Sequence, residues 1–524
     1  MKKITIGLFI MISVVVNAAT YYVSTTGNDS QSGTINAPWK TWQKGFSSLV
    51  AGDILYIRGG RYLPTVATPM SIWSGTSYAG AAVSGKSGTA SKPITVSAYP
   101  GEHPILDVIN IVTTGSRSGI VLKSCNYWIL KGFEQCNAFQ TEGNGAAGIW
   151  LHDSNNCTLE RLVVHHNGGS GIRIIQNCEG NLIYNCDAYA NNDNFTDGEN
   201  ADGFEIANTT YRAGNPRVNT MRGCRAWWNS DDGVDLFRND GYMIMDSCWF
   251  WSHGYDYDTR TLTVTGDGNG IKLGTTEIAD GTEFLRTVTN CLIFYNYGRG
   301  IEQNAANAKC YVYNNTVLKN GGVGIKFYSF NLANIFKNNI SCLNTGGNWD
   351  GVHTNAIVQN NSYHSTWQTT GPVATEADFL TIDTVGLAGP RQANGCLPIM
   401  SFARLASTSD MIDHGTDVGI SYFGTAPDIG AYEYTPYPLS TESILAANKT
   451  VNVYPNPVSD ELTIEIEDND VNLKFEIINA IGTVVVKGII SDKVIVQANY
   501  FVPGIYTIKV GNGKYSITRK IIKL

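Results

Sequence analysis

The sequence predicts an all-β solenoid, a parallel β-helix, and three features carry that expectation. From about residue 120 to 365, short β-rich segments recur behind a glycine: "GIVL", "GIWL", "GIRII", "GFEIA", "GVDLF", "GIKLG", "GIEQN" and "GIKFY". Between them lie second segments that end in Asn-rich turns, such as "LVVHHNGG", "CRAWWNSDDG" and "NNTVLKNGG", with units about 20 to 25 residues apart where no loop intervenes. Short strands punctuated at this period stack into one continuous core, and Asn and Gly suit the corners because both tolerate left-handed backbone. Third, many of the 11 cysteines occupy a comparable step beside a strand, as in "NCTLERLVV", "NCEGNLIY", "SCWFW" and "NCLIFYN". Their number is odd and the chain is too long to depend on staples, so they are expected as small buried residues of the repeat, with one or two disulfides left open.

Each part of the chain has its own signal. Residues 1–19 carry Lys2 and Lys3, an apolar run from Ile4 to Val16, and the small Ala18 and Ala19, the layout of a secretory signal peptide. The run is too short to span a membrane comfortably and no later stretch qualifies, so the mature chain is expected to be exported and soluble, with no membrane span. In "APWKTWQKGFSSLVAGD", Trp39, Trp42, Phe46 and Val50 fall near helical spacing, which predicts a short amphipathic helix over the open end of the core. Such a cap blocks edge-to-edge aggregation. "GDILYIRGGRY" and "KPITVSAYPGEHPILD" read as the first coils. The solenoid domain is placed at 20–434, a polar linker at 435–447, and a small β-sandwich-like domain of alternating strands at 448–524.

Composition narrows the function. The 524 residues are 43% hydrophobic, ordinary for a globular protein, and the net charge of −8 argues against a nucleic-acid partner. An anionic substrate would need local cations. The chain is expected to act as a monomer.

One cluster stands out in a chain of which only 16% is charged: "NSDDGVDLF" places Asp231, Asp232 and Asp235 within five positions. Alternation sends Val234 and Leu236 into the core and Asp235 outward. A turn at "SDDG" lets all three converge. "NADGFEIA" buries Phe204 and Ile206 and leaves Asp202 in the turn just before its strand, one or two coils earlier. Four close carboxylates repel unless a divalent ion lies among them, and oxygen-only ligands select calcium. The competing reading is plain corner chemistry, since Asp-Gly is a common turn; recurrence on one lateral face beside a basic residue favours a site. That residue is Lys272 in "GDGNGIKLG", outward between Ile271 and Leu273, where a neutral amine beside a calcium-bound uronate could remove a proton. "DNFTDGE" at 193 to 199 lacks the alternating ligands of an EF-hand loop.

Through "ADGFEIA", "WWNSDDGVDLF" and "GNGIKLG", in that order, residues 20 to 435 resemble polysaccharide lyase family 9, the right-handed β-helix pectate lyases. The resemblance implies calcium ligands at Asp202, Asp231, Asp232 and Asp235, a catalytic base at Lys272, and β-elimination on a pectin-type uronate polysaccharide. Arg299, in "YGRGIEQN", is a candidate clamp for a substrate carboxylate, with a plain surface arginine as the alternative. The Asn-rich segment between Asp187 and Asp202 departs from the family pattern and leaves substrate preference open. "VYPNPVSDELTIEI", "GIYTIKV" and "TRKIIKL" resemble the C-terminal sorting domain of the type IX secretion system, which implies that machinery as a partner and a secreted or surface-attached product. Two other functions compete. In a β-helix polygalacturonase, paired aspartates would hydrolyse the glycosidic bond, and "SDD", "SHG" at 252 to 254 and "GIK" follow each other much as that family's motifs do. A non-catalytic glycan-binding or adhesin solenoid would leave Lys272 unexplained.

Overall fold

Three parallel sheets wind together through residues 20–359 of the computed structural model. It describes residues 18–72, 75–141, 145–209, 218–262, 266–276, 284–328, 333–352, 354–362, 364, 368–435, 451–466, 473–479, 483–511 and 516–523. The expected signal peptide through residue 17 and the expected linker from residue 436 lie outside the described residues.

A typical coil visits the three sheets in turn: Thr158–Glu160, Val163–His165 and Ile172–Ile175, then Leu182–Tyr184 directly above the first. The sheets contain 12, 10 and 11 strands. Pairing between coils is parallel; the hairpin of Thr68–Ile72 with Gly75–Ser84 is antiparallel. Strand alternation sorts the side chains of the 11-stranded sheet. Ile172, Ile174, Phe204, Ile206, Val234, Leu236, Ile271 and Leu273 fill the core. The residues between them form one in-register outward row: Trp150, Arg173, Glu205, Asp235, Lys272, Glu302, Lys326 and Asp350.

The glycine before each of these strands is there for space. A Cβ on Gly203 would lie 2.8 Å from the Gly233 carbonyl oxygen, one on Gly233 2.4 Å from that of Gly270, and one on Gly270 2.8 Å from that of Gly300. Successive coils touch there, and only a missing side chain permits the approach. Beside this column, Asn167, Asn191, Asn229, His253, Asn296, Asn320 and Asn344 form an internal ladder. From Asn191 onward each asparagine oxygen accepts the backbone N–H of the ladder residue one coil earlier, Asn167 accepts that of Ala138, and His253 accepts through Nδ1 instead. The ladder satisfies polar backbone that the tight corner would otherwise bury unpaired. The left-handed residue at this corner is the one before each ladder position, namely His166, Ala190, Trp228, Ser252, Tyr295, Lys319 and Leu343. The expected left-handed asparagine occurs at another corner, at Asn185, Asn290, Asn314, Asn338 and Asn360.

All 11 cysteines are free and all but Cys396 are buried, so the one or two disulfides left open by the sequence do not form. Several stack at one corner, where Cys224 N–H faces Cys248 Sγ at 3.4 Å and Cys248 N–H faces Cys291 Sγ at 3.5 Å. At the opening of the solenoid, the helix Trp42–Ser48 is capped by Thr41, whose side chain accepts the Lys44 N–H. It presses Trp42 on Phe133 at 5.0 Å and Phe46 on Trp128 at 5.7 Å. The helix is shorter than the spacing of aromatics suggests. Trp39 bridges Val23 before it starts, and Val50 lies beyond its C-cap with 49% exposure.

The chain divides into two compact units. The first holds residues through Asp383 together with Phe402–Tyr434; Thr384–Ser401 group instead with Thr435–Leu524 in the second. In the second unit, antiparallel sheets of three and four strands enclose Leu462, Ile464, Phe475, Ile477, Ile508 and Val510.

Candidate active site

Asp202, Asp231, Asp232, Asp235 and Lys272 come together on the outer face of the 11-stranded sheet. Register does most of this: Phe204 pairs with Val234, Val234 with Ile271, and Asp235 stands directly between Glu205 and Lys272. Asp202, Asp231 and Asp232 lie in the turns that enter these strands, held by backbone donors. Asp202 Oδ1 accepts the Asp232 N–H at 3.1 Å, and Asp231 accepts those of Asn200 and Asp267 at 2.9 and 2.8 Å. Asp232 Oδ1 accepts the Asn269 N–H at 2.7 Å.

Lys272 Nζ lies 3.3 Å from Asp232 Oδ2, 3.5 Å from Asp235 Oδ2 and 2.7 Å from Asp267 Oδ2. The amine is partly desolvated, which alone would lower its pKa, but Asp232, Asp235, Asp231 and Asp267 outweigh that and hold it above the usual lysine range. The carboxylates carry the reciprocal strain. Burial, then Asp231, Asp235 and Asp232, push Asp202 well above the usual carboxylate range. Burial raises Asp231 and Asp235 to about 7 each despite the attraction of Lys272. Asp232 shifts upward for the same reasons.

The donor set fits a hard divalent cation. Asp202, Asp231 and Asp232 each offer a carboxylate oxygen within 4.8 Å of the others. Asp232 Oδ2 and Asp235 Oδ1 are buried and accept no hydrogen bond; the former has only the Lys272 ion pair. All these ligands are oxygen, the chemistry of calcium rather than zinc.

Three neighbours escaped the sequence reading. Asp267 precedes Lys272 by five residues in "GDG", which reads as another corner. Glu205 occupies the row between Arg173 and Asp235, bonded to Arg173 Nε at 2.5 Å and Ser170 Oγ at 2.8 Å. Its place beside Asp235 was legible from "GFEIA" by the same alternation. Ser170 also reaches Asp202 Oδ2 at 3.3 Å. Arg299 lies on the coil after Lys272, and its guanidinium pairs with Glu302 at 2.6 Å; Tyr328 donates to the same Glu302 oxygen. It is therefore at the site's margin and already partnered. His253, the histidine of the hydrolase-like "SHG", is fully buried in the internal ladder and is not on the outer face with the aspartates.

Fold and site define a parallel β-helix protein with a carboxylate–lysine cluster on the outer face of one sheet. A family model described as "Pel9A-like, right handed beta helix region" matches residues 21–361, and one described as "Secretion system C-terminal sorting domain" matches 452–524. The chain belongs to the Pel9A-like right-handed β-helix family and is an enzyme of the pectate lyase type. It is 31% identical over 429 residues to pectate lyase L of Dickeya dadantii (strain 3937), covering 79% of this chain and 90% of that one. The crystal structure of pectate lyase Pel9A matches with a TM-score of 0.64 and 29% identity, covering 80% of this chain and 98% of that one. A rhamnogalacturonan lyase structure matches with a TM-score of 0.62 and 27% identity over 74% of this chain and 97% of that one. The sorting domain marks an exported protein, secreted or held at the cell surface.

Proposed function

We propose that this exported lyase cleaves a pectin-type uronate polymer by calcium-dependent β-elimination, with Lys272 as the base. The observation that carries the reading is the position of Lys272 Nζ, within 3.5 Å of Asp232 and Asp235 and next to two buried carboxylate oxygens that accept no hydrogen bond. Asp202, Asp231, Asp232 and Asp235 would hold the calcium. Bound there, calcium would offset the aspartates' charge, weaken the hold of Lys272 on its proton and neutralise the charge that grows on the substrate carboxylate.

The chain's own residues supply the rest. Lys272 Nζ takes the proton on C5, next to the carboxylate; the glycosidic oxygen on C4 departs, and the new chain end carries a C4–C5 double bond. Asp267, 56% exposed, anchors the amine from the outer side of the cluster. Backbone donors from Asn200, Asp267 and Asn269 orient the aspartates before substrate arrives, so no reorganisation is needed at the moment of reaction. Arg299 is the proposed clamp for a neighbouring uronate carboxylate; engaging it requires partial exchange from Glu302. The same proposal sets the lyase domain at 20–434, the linker at 435–447 and the sorting domain, recognised by type IX machinery, at 448–524.

The test is digestion of polygalacturonate, methylated pectin and rhamnogalacturonan, each with calcium and with excess chelator, following ultraviolet absorbance of unsaturated ends. Calcium-dependent absorbance on one polymer supports the reading. New reducing ends without absorbance would indicate hydrolysis, and no cleavage of any polymer would favour a binding solenoid.

A further inference from the structure

Away from the aspartate cluster, the outer face of the 10-stranded sheet gathers a second group of side chains of metal-ligating type. Three of the chain's eight histidines meet there: the adjacent pair His165 and His166, and His103 from two coils earlier. The register explains the meeting. Glu134 pairs with Ile105 and Val163, and Cys136 pairs with Asp107 and His165, so Glu134, Cys136 and His165 point outward from adjacent coils while Gln135 points into the core. His103 enters from the coil before. Glu134 is long enough to reach both ways: Oε2 lies 2.8 Å from His103 Nε2 and Oε1 lies 3.1 Å from His165 Nε2.

We infer that this cluster is a binding site for a borderline divalent transition metal of the zinc class, with His165, Glu134 and Cys136 as ligands and His103 completing them. One atom each from Glu134, Cys136 and His165 already lies within 4.8 Å of the other two. Imidazole, carboxylate and thiolate together are a zinc-type donor set, unlike the all-oxygen aspartate cluster. His165 is held as a ligating histidine is held. Its ring stacks on Tyr189 at 4.7 Å with 11° between planes, and its Nδ1 faces His166 Nδ1 at 2.5 Å. With an ion bound between Nε2 and the carboxylate in place of their present contact, a proton on His165 Nδ1 shared with His166 would be the outer support usual for a ligating histidine. Cys136 is buried, with the Arg61 guanidinium, itself paired with Asp107, 3.9 Å from its sulfur, and metal coordination is what would deprotonate the thiol. His103, with 61% of its side chain exposed, gives an ion its way in. The site would clasp three successive coils near the start of the solenoid.

The experiment titrates chelator-stripped, full-length protein with zinc chloride in saturating calcium, which fills the aspartate cluster. A single zinc equivalent should bind, disappear in His165→Ala and Glu134→Gln, weaken in His103→Ala, and persist in Asp232→Asn. His103→Ala keeps the test open should His165→Ala fail to fold, because His103 is exposed; calcium-dependent lyase activity reports the fold of both. Cobalt in place of zinc should give a thiolate charge-transfer band that is lost in Cys136→Ser. Zinc binding unchanged in His165→Ala, Glu134→Gln and His103→Ala would overturn the site, and a cobalt spectrum without the thiolate band would remove Cys136 from it.

Discussion

At the scale of single residues, the roles of Lys272 and the aspartates can be separated by what each substitution leaves intact. Lys272 projects outward from a strand whose neighbours Ile271 and Leu273 fill the core, so Lys272→Ala keeps the fold and relieves none of the packing. If it is the base, turnover falls by a factor on the order of 10² to 10⁴ while polymer and calcium still bind. Lys272→Arg fares little better, because guanidinium holds its proton near neutral pH. Near-normal kcat in the arginine variant would instead make Lys272 a carboxylate partner. Asp232→Ala removes a buried carboxylate from the proposed calcium site, so activity should need far more calcium; full activity of this variant in excess chelator would exclude the assignment. Asp235 and Lys272 were legible because alternation along a strand fixes which side chains leave the core, and Asp202, Asp231 and Asp232 because they crowd the turns that lead directly into those strands. Asp267 was not, because its position depends on how a turn folds back to meet a lysine five residues later, and no periodicity encodes that.

At the scale of elements, the glycine column and the asparagine ladder set how closely coils stack, and both pass directly behind the aspartates. A Cβ on Gly233 would meet the Gly270 carbonyl oxygen at 2.4 Å and His253 Nε2 at 2.7 Å. Backbone cannot yield there without moving Asp232, so Gly233→Ala should cost about 1 to 3 kcal/mol of stability and weaken calcium binding together; a lower denaturant midpoint with unchanged calcium affinity would separate the two. His253 takes the place of an asparagine in the ladder, and burial lowers its pKa to about 3. The unfolded chain therefore binds a proton near pH 6.5 that the folded chain refuses. The contribution is neutral above that pH and is lost as pH falls from about 6.5 toward 3, by roughly 1.4 kcal/mol per unit. His253→Asn keeps an acceptor for the Asn229 N–H and removes the titrating ring, so its stability should fall less between pH 7 and pH 4 than that of the natural chain. Equal losses, measured by urea unfolding at both pH values, would place acid sensitivity elsewhere. The repeat was readable from sequence as glycine before each strand. The reason for it, contact between coils rather than backbone freedom, appears only once the coils are stacked.

At the scale of the whole chain, two separate cores imply two separate responses. The solenoid core runs from Val23 to Val352, and the second unit has its own cluster from Val451 to Ile521. The sequence announced this split through a polar linker and a change to alternating strands. It gave no sign that Thr384–Ser401, a stretch without regular strands, would group with the C-terminal residues, because long-range packing of irregular chain leaves no periodic mark. If the aspartate cluster binds calcium, the ion stabilises only the unit that contains it. At calcium about a hundredfold above its dissociation constant, that unit gains roughly 2.7 kcal/mol, and the other gains nothing. Calorimetry should then show two unfolding transitions, of which calcium raises one. Asp232→Ala should abolish that rise while leaving the second transition where it is. Removing residues 448–524 should leave the calcium-sensitive transition and the specific lyase activity unchanged in purified protein, yet keep the enzyme inside cells that otherwise export it. A truncated enzyme that still reaches the medium would deny the C-terminal strands their role as the export signal, and one exported but inactive would show that the solenoid needs them to fold.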